Sequence, residues 1–310
     1  MSDDEKPLLR WKVALVLLPV LLGTAIFGAL LWKIRDQGRT RPDARLALAA
    51  SPVSPAELRQ HYRKLSDLVG GRDWESVEGR KSVRRVIAFI DGTLSPQNYG
   101  FEVQRGGEVP FVEELWPTLW VDLEGKAEPK NVVLVAVPYD RGNLAVGALL
   151  AIANDLRDDD LANTVRLVFY PARLLADEPR VDFLAGRDET VVQVLAVNRL
   201  FGPGRTLWLA DENGEQAAPA GGAGQTPAPD SRPRDHGSLL AEELRIFGSL
   251  GAPVLVCRGS AGAGPEPPGP FPGGKDPKAT DGPGFDRYVE RTILLRDLLR
   301  EMARMTKKGP

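Results

Sequence analysis

The chain has 310 residues, of which 43% are hydrophobic and 26% are charged, with a formal net charge of -2 at pH 7. This apolar fraction is ordinary for a globular protein and excludes a chain that is disordered as a whole. The nearly balanced charge provides no overall basic field, so nucleic acid is not expected as a partner.

Near the N-terminus, the 20 residues 13–32 carry no charge. At about 1.5 Å per residue, a helix of this length extends roughly 30 Å, which matches the hydrocarbon core of a bilayer. Trp11 and Trp32 lie at its two ends, where indole rings favour the headgroup level. We expect an N-terminal tail over 1–12, a single transmembrane helix over 13–32 and a tether over 33–53, with the membrane as a partner.

A cleaved signal peptide is the main alternative for this segment. Its apolar core would be too long, and the nearest small-residue cleavage site, at residues 47–49, lies well beyond the core. Basic residues flank the span on both sides, with more of them after it. The positive-inside rule therefore mildly favours a cytoplasmic C-terminal side.

Residues 54–305 are predicted to form one α/β domain, since apolar runs typical of buried strands alternate with helical patterns. The predicted helices are 54–69, Val77–Leu94, Asn143–Leu156, Leu239–Leu250 and Phe285–Met305. The predicted strands are Phe101–Val103, Trp116–Leu123 with a break at Pro117, Val132–Val137, Thr164–Tyr170, Val191–Val197 and Val254–Cys257. This alternation predicts a mainly parallel mixed sheet with helices on both faces. The Gly- and Pro-rich stretches 211–235 and 258–284 are predicted to be flexible loops.

In sheets of this kind, ligands bind in the crevice beyond the carboxyl ends of the strands. The segments that follow Val137, Tyr170, Val197 and Cys257 are therefore the places to look for a site. Cys257 itself lies within a predicted buried strand, so we expect an inert core residue. As the single cysteine, it also excludes an intrachain disulfide.

Several segments follow one another in a recognisable order and spacing. They are Leu58–Ile90, Gly100–Gln104, Asn131–Asp140 (NVVLVAVPYD), Thr164–Leu175 (TVRLVFYPARLL) and Asp235–Val256. Their order resembles that of the dinuclear-zinc aminopeptidase family, whose relatives include glutamate carboxypeptidase and the transferrin receptor ectodomain. The resemblance covers most of residues 54–305 and implies a zinc-exopeptidase-like fold. It rests on order and spacing, because no single motif is intact.

For an active member, the resemblance implies hydrolysis of a peptide bond by a hydroxide bound between two zinc ions. A glutamate moves the proton, each zinc takes a histidine and a carboxylate, and a further carboxylate bridges the two ions. The place of the first zinc histidine is held here by Pro138, and Asp140 stands where the family has the aspartate that orients this histidine. Asn143 stands near the bridging aspartate, and the paired glutamates fall near Arg173 and Leu174.

The remaining ligand positions depart from the family as well. The aspartate expected after the next strand falls near Asn198, and the last zinc histidine should lie near Asp276. His236 resembles the histidine of the family's Ser-Asp-His motif. His61, the other histidine of the chain, lies in the first predicted helix, where a packing or surface role is expected.

We therefore predict a membrane-anchored, non-catalytic member of this fold that acts in binding or scaffolding, with no metal, no cofactor and no catalytic residue. Its partner would be a peptide or another protein. The predicted lining of the crevice is Tyr139, Asp140, Arg141, Arg173, Asn198 and His236. We expect Arg173 either to pair with Asp140 or to hold a ligand carboxylate.

Two alternatives stay open. One is a zinc peptidase with an atypical single-metal site formed by Asp140, His236 and Asp276. The other is an unrelated membrane-anchored α/β interaction protein that shares only the order of elements. The side of the membrane is also open, because the resemblance favours an extracytoplasmic domain whereas the flanking charges do not.

Overall fold

A computed structural model describes most of the predicted domain. The described residues are 53–68, 72–177, 181–200, 207–211, 214–217, 236–258 and 283–304, all within one unit that extends over residues 52–310. The predicted tail, the predicted transmembrane helix and all but the last residue of the predicted tether lie outside them. Among the helices that are described, none has the length and apolar character needed to cross a bilayer.

Within the described residues, eight strands form one sheet, accompanied by six α-helices. The strands are β1 Gln104–Phe111, β2 Glu114–Leu123, β3 Glu128–Pro138, β4 Asn163–Tyr170, β5 Thr190–Arg199, β6 Trp208–Asp211, β7 Gly214–Ala217 and β8 Val254–Arg258. The helices are α1 Pro55–Leu68, α2 Val77–Leu94, α3 Asn143–Leu156, α4 Ala172–Asp177, α5 His236–Phe247 and α6 Pro283–Arg304.

The strand order is β1-β2-β4-β3-β5-β8-β6-β7. The four central strands, β4, β3, β5 and β8, run parallel, whereas β1, β2, β6 and β7 join the sheet by antiparallel pairing. The α/β class and the mixed sheet are confirmed, but the parallel character is limited to the centre. At each edge, a two-residue connection joins neighbouring strands, and so short a link allows only antiparallel pairing.

Helices cover both faces of the sheet. All eight residues of β4 are buried, which requires packing on either side of this central strand. The apolar helix α3 lies against β3, β4 and β5 and is surrounded by α1, α2 and α6. Helix α5 packs against β6 and β8 beside α4. Cys257 is fully buried in β8, as expected, and burial raises the pKa of its thiol to about 12.

The predicted bounds of α2 and α3 match the structure. The first strand, by contrast, was predicted at Phe101–Val103 and lies at Gln104–Phe111, because this edge strand is polar and largely exposed and carries no apolar run. Pro117 does not break β2. The register between β1 and β2 shifts between Gly106 and Val109, opposite this proline, so the missing N–H interrupts no regular ladder.

The prediction of a loop over 211–235 is wrong at its start. Strand β6 ends at Asp211, and β7 covers Gly214–Ala217 within the stretch. Each of these strands has only four residues, which is too short for a periodic pattern to stand out. Most of the other predicted loop, 258–284, lies outside the described residues.

Candidate functional site

The carboxyl ends of the parallel strands bring several polar side chains to one edge of the sheet. Asp140 and Arg141 follow β3, and Tyr170 is the last residue of β4. The two strands are in register there, since Pro138 of β3 lies opposite Tyr170. Asn198 lies near the end of the neighbouring strand β5. We refer to this place, with the residues of α5 that contact it, as the strand-end site.

Asp140 is buried and holds two other segments of the chain through three hydrogen bonds. One carboxylate oxygen accepts the indole Nε1–H of Trp74 at 3.1 Å and the main-chain N–H of Arg173 at 3.0 Å. The other oxygen accepts the main-chain N–H of Ala172 at 3.1 Å. Burial raises the pKa of Asp140, although these donors and the nearby Arg141 charge act in the opposite direction. The carboxylate thus fixes the start of α4 and the indole to the end of β3.

The indole that donates to Asp140 is itself positioned by aromatic packing. Trp74 contacts the rings of Phe111 and Trp116 edge to face, at centroid distances of 5.8 and 4.8 Å. Its loop lies tightly against α2, where a side chain at Gly79 would place Cβ only 1.8 Å from the carbonyl oxygen of Asp73. Glycine is therefore required at that turn of the helix for the loop to approach so closely.

Helix α5 contributes a second buried carboxylate, Glu243, which is not among the residues predicted from the sequence. Its side chain accepts the hydroxyl of Tyr170, whose oxygen lies 2.9 and 2.8 Å from the two carboxylate oxygens. It also accepts Nδ2–H of Asn198 at 2.9 Å. Burial is the main cause that raises the pKa of Glu243, to about 7. This carboxylate therefore titrates close to neutral pH.

The helical spacing of α5 contained a signal for Glu243. Ile246 and Phe247 follow it at three and four residues, and both are fully buried in the core. A glutamate on the apolar stripe of an amphipathic helix is a candidate for a buried polar role. The adjacent Glu242 points to a different partner and obscures this pattern in the sequence.

Arg141, at the end of β3, forms an ion pair with Glu242 of α5. Its guanidinium forms a two-pronged pair with that carboxylate, with Nη1 at 2.8 Å from one oxygen and Nη2 in contact with the other. Burial disfavours the charged guanidinium, but the hydrogen bonds and charge of Glu242 and the charge of Asp140 outweigh it and raise the pKa of Arg141. Arg141 stays a cation that is already paired within the protein.

Two other residues that were predicted to line the crevice direct their side chains away from the strand-end site. Tyr139 is fully buried, and its hydroxyl donates to the carbonyl oxygen of Pro117 in β2 at 3.0 Å. The Arg173 side chain is 52% exposed and pairs with Glu75 at 2.7 Å. The expected pairing of Arg173 with Asp140 is therefore made by the main-chain N–H and not by the guanidinium.

Of the two histidines, only the His61 side chain is described. His61 is buried in α1, where its Nδ1 donates to the carbonyl oxygen of Gly147 at 3.2 Å, and burial lowers its pKa to about 4. It acts there as a neutral link between α1 and α3. His236 is the first residue of α5, and its side chain lies outside the described residues, as does Asp276.

The described residues at the positions that the family resemblance assigns to zinc ligands are engaged within the protein. Pro138 has no ligand atom, and the carboxylate of Asp140 already accepts three hydrogen bonds from the protein. The Asn143 side chain accepts a hydrogen bond from Arg72, and Asn198 directs its amide nitrogen toward the carboxylate on α5. In the described part of the chain, no group of three His, Cys, Asp or Glu residues is arranged to hold a metal ion.

Comparison with known proteins shows a structural likeness without a sequence match. No protein-family model matches the chain, and no curated protein matches it. LapB from Legionella pneumophila is 14% identical with a TM-score of 0.48, over 84% of this chain and 75% of LapB. The LapA aminopeptidase from the same organism is 10% identical with a TM-score of 0.49, over 82% and 73% of the two chains. A glutaminyl cyclase from an Acidobacteriales bacterium is 15% identical with a TM-score of 0.48, over 81% and 96%.

Proposed function

We propose that this chain is a non-catalytic binding domain whose ligand site is the strand-end site. The observation that carries the proposal is the hydrogen bonding of the Asp140 carboxylate to the main-chain N–H groups of Ala172 and Arg173. By the family resemblance, the segment that contains Arg173 would supply the general base and a zinc ligand. Here the main chain of that segment is hydrogen-bonded to the Asp140 carboxylate. Its Arg173 side chain is a guanidinium, whereas a metal ion needs carboxylate ligands.

A binding role is supported by the polar character of the strand ends. Glu243 and Asn198 are buried there, although a buried carboxylate or amide destabilises a fold unless it is well paired. Clusters of this kind, placed beyond the carboxyl ends of parallel strands, are typical of ligand sites. The ligand class that we propose is a peptide or a segment of a partner protein.

The first test is the metal content of the full-length chain, purified without chelator and measured by elemental mass spectrometry. We expect far less than one zinc per chain and no hydrolysis of peptide substrates, because the ligand positions are not suited to zinc. One tightly held zinc per chain with chelator-sensitive hydrolysis would contradict the proposal. Loss of that zinc in a His236→Ala variant would then establish the single-metal alternative with Asp140 and Asp276.

We also propose that residues 13–32 anchor the domain in a membrane. This proposal is supported by the length of the uncharged stretch and by the tryptophans at its ends. Anchoring would confine the binding domain to a membrane surface at the end of the 33–53 tether.

A further inference from the structure

A second polar cluster lies between α1, α3 and the segment that follows α2, and it shares no residue with the strand-end site. At its centre is His61 of α1, which is only 4% exposed. The imidazole Nδ1 lies 3.2 Å from the main-chain oxygen of Gly147 in α3, and Nε2 lies 3.0 Å from the hydroxyl oxygen of Tyr99. This hydroxyl also contacts the carboxylate of Glu57, one turn earlier in α1. We refer to Glu57, Tyr99 and His61 as the α1 triad.

The three contacts of the α1 triad need one hydrogen more than a neutral imidazole and a hydroxyl provide. The main-chain oxygen of Gly147 only accepts, so Nδ1 of His61 carries a hydrogen. The Tyr99 hydroxyl has a single hydrogen, which goes either to Nε2 or to Glu57, because an unprotonated ring nitrogen and a carboxylate both accept. The third hydrogen bond therefore requires a further proton, placed either on the carboxyl of Glu57 or on Nε2.

The surroundings of His61 disfavour its cationic form. Burial lowers the pKa of this imidazole to about 4, and the charge of Lys64 on α1 acts in the same direction. The hydrogen bond to Gly147 opposes them only in part. From α2, the ring of Phe89 packs edge to face against the imidazole and brings no charge. Above pH 4 the imidazole is therefore neutral, with its hydrogen on Nδ1.

The carboxyl of Glu57 is the better place for the proton. Burial is the main cause that raises the pKa of Glu57, and the charge of Asp155 on α3 acts in the same direction. The hydrogen bonds from Tyr99 and Asn154 oppose this rise. A protonated carboxyl still accepts the Asn154 amide, whose Nδ2 lies 3.2 Å from Oε1, and it gains a hydrogen to donate to Tyr99.

The other charged groups around the α1 triad have bonds of their own. Asp155 forms an ion pair with Arg296 of α6 at 3.2 Å. Arg157, directly after α3, donates to the main-chain oxygen of Tyr99 at 2.7 Å. Both guanidinium groups are thereby directed to acceptors other than the Glu57 carboxylate.

We propose that the α1 triad holds one proton at neutral pH and that release of this proton loosens α1 from the domain. With the proton in place, Glu57 donates to Tyr99, and Tyr99 donates to Nε2 of His61, so every contact is a hydrogen bond. When the proton leaves to solvent, the Tyr99 hydrogen turns to the carboxylate. Nε2 is then left without a donor, and its buried position keeps water away. This pH-dependent attachment of α1 is independent of the proposed binding function.

The first test reads the protonation of His61 directly. The protein has two histidines, so ¹⁵N labelling of histidine in the full-length chain gives two imidazole signals sets, and a His236→Ala variant assigns them. At about pH 5.5 a free histidine is mostly cationic and a free glutamate mostly ionised. We expect a neutral His61 with its hydrogen on Nδ1. A cationic His61, or a neutral ring with its hydrogen on Nε2, would overturn the inference.

The second test follows α1 by hydrogen exchange of its main-chain amides in the full-length chain, corrected for the intrinsic exchange rate. Once α1 opens, His61 regains its ordinary pKa of 6.5. Above that pH only the closed helix holds the proton, so protection must fall as the pH rises. We expect a loss of about tenfold between pH 6.5 and 9, the effect of one buried acceptor that loses its hydrogen bond.

Two variants connect this loss to the α1 triad. In Glu57→Gln the amide N–H donates to Tyr99 at every pH, so the protection of α1 should stay level from pH 6.5 to 9. Glu301→Gln, an exposed position on α6, is the matched control and should show the loss of the wild type. Any titration elsewhere in the domain, including that of Glu243, is common to all three proteins and cancels in the comparison.

The wild type and the Glu57→Gln variant must differ for the inference to hold. Level protection of α1 in the wild type, or the same loss in both proteins, would overturn it. The histidine measurement uses the wild-type side chains of the α1 triad, so it decides the matter even if Glu57→Gln does not fold. None of these results concerns the ligand of the strand-end site, and the proposed binding function is tested separately by metal content and hydrolysis.

Discussion

Asp140 and Glu243 are both buried carboxylates at the strand ends, but their surroundings give them different tasks. Asp140 accepts two main-chain N–H groups and an indole N–H, all from segments that it joins together. Among the described residues, the donors to Glu243 are the side chains of Tyr170 and Asn198. We therefore expect Asp140 to contribute to the stability of the fold and Glu243 to respond to pH and ligand.

The Asp140→Asn variant should destabilise the domain by about 2 kcal/mol, the usual range for hydrogen bonds to a charged group. An amide offers one acceptor oxygen and turns an NH₂ group toward a donor. Urea unfolding at pH 7 would measure the loss. Arg173→Ala is the control, because it keeps the main-chain N–H and removes only an exposed ion pair, so its cost should stay below about 1 kcal/mol. Equal losses in the two variants would contradict this account of the site.

The raised pKa of Glu243 predicts that the free energy of unfolding decreases as the pH rises. Its folded pKa of about 7 lies above the ordinary 4.5, so the folded state holds the proton more tightly than the unfolded state. The associated stability is present below pH 4.5 and disappears as the pH rises through 7, with a total on the order of 3 kcal/mol. Urea unfolding between pH 5 and 8 should therefore show a steeper decline for the wild type than for Glu243→Gln. Parallel pH profiles would show that Glu243 does not titrate in this range.

At the scale of elements, α2 offers a matched pair of glycines. Gly79 lies against the loop that carries Trp74, whereas a Cβ at Gly92 would meet nothing within 4 Å. Gly79→Ala should destabilise the domain by several times RT, since main-chain atoms must move and Trp74 moves with them. Gly92→Ala should stabilise it by up to about 1 kcal/mol, because alanine is the better helix former. Thermal unfolding monitored by tryptophan fluorescence would measure both; similar effects would contradict the close approach at Gly79.

The β1–β2 hairpin contains a strained turn. Val112 and Glu113 form its two-residue connection, with φ angles of 48° and 61° in the left-handed region that a β-branched residue rarely adopts. Val112 is 52% exposed, so little packing depends on it. Replacement of the pair by Asn-Gly should raise the unfolding free energy by about 1–2 kcal/mol. A lower midpoint in thermal unfolding would indicate that the turn is held by contacts that the substitution removes.

At the scale of the whole molecule, the proposed anchor would determine where the chain is found. The full-length chain should remain in the membrane pellet after an alkaline carbonate wash, since a span of 20 uncharged, mostly apolar residues would be held by the bilayer core. A chain that lacks residues 1–32 should be released to the supernatant with the domain intact. Recovery of the full chain in the supernatant, or an N-terminus generated near residues 47–49, would contradict the anchor and favour a cleaved signal peptide.

Much of the fold could be predicted because its central elements are long and apolar. Helix α3 and strand β4 are buried almost throughout, and their sequences show it directly. The short strands β6 and β7 leave no comparable pattern. The strand-end site was only partly predictable, because parallel strand ends locate Asp140 and Asn198 but do not tell which groups their side chains contact. Glu243 comes from a helix 45 residues after Asn198, so its role depends on tertiary packing.

The strand order has a consequence for the order in which a growing chain can complete the sheet. β6 pairs with β7 and with β8, and β8 is the last of the described strands to be synthesised. When β6 and β7 emerge from the ribosome, β8, which lies between β5 and β6 in the sheet, has not yet emerged. The β6–β7 hairpin therefore cannot join the sheet, and the edge of β6 stays unpaired, until residues 254–258 have emerged. A nascent chain paused before that point exposes β5 as a sheet edge, and during this interval it is open to capture by chaperones or to aggregation.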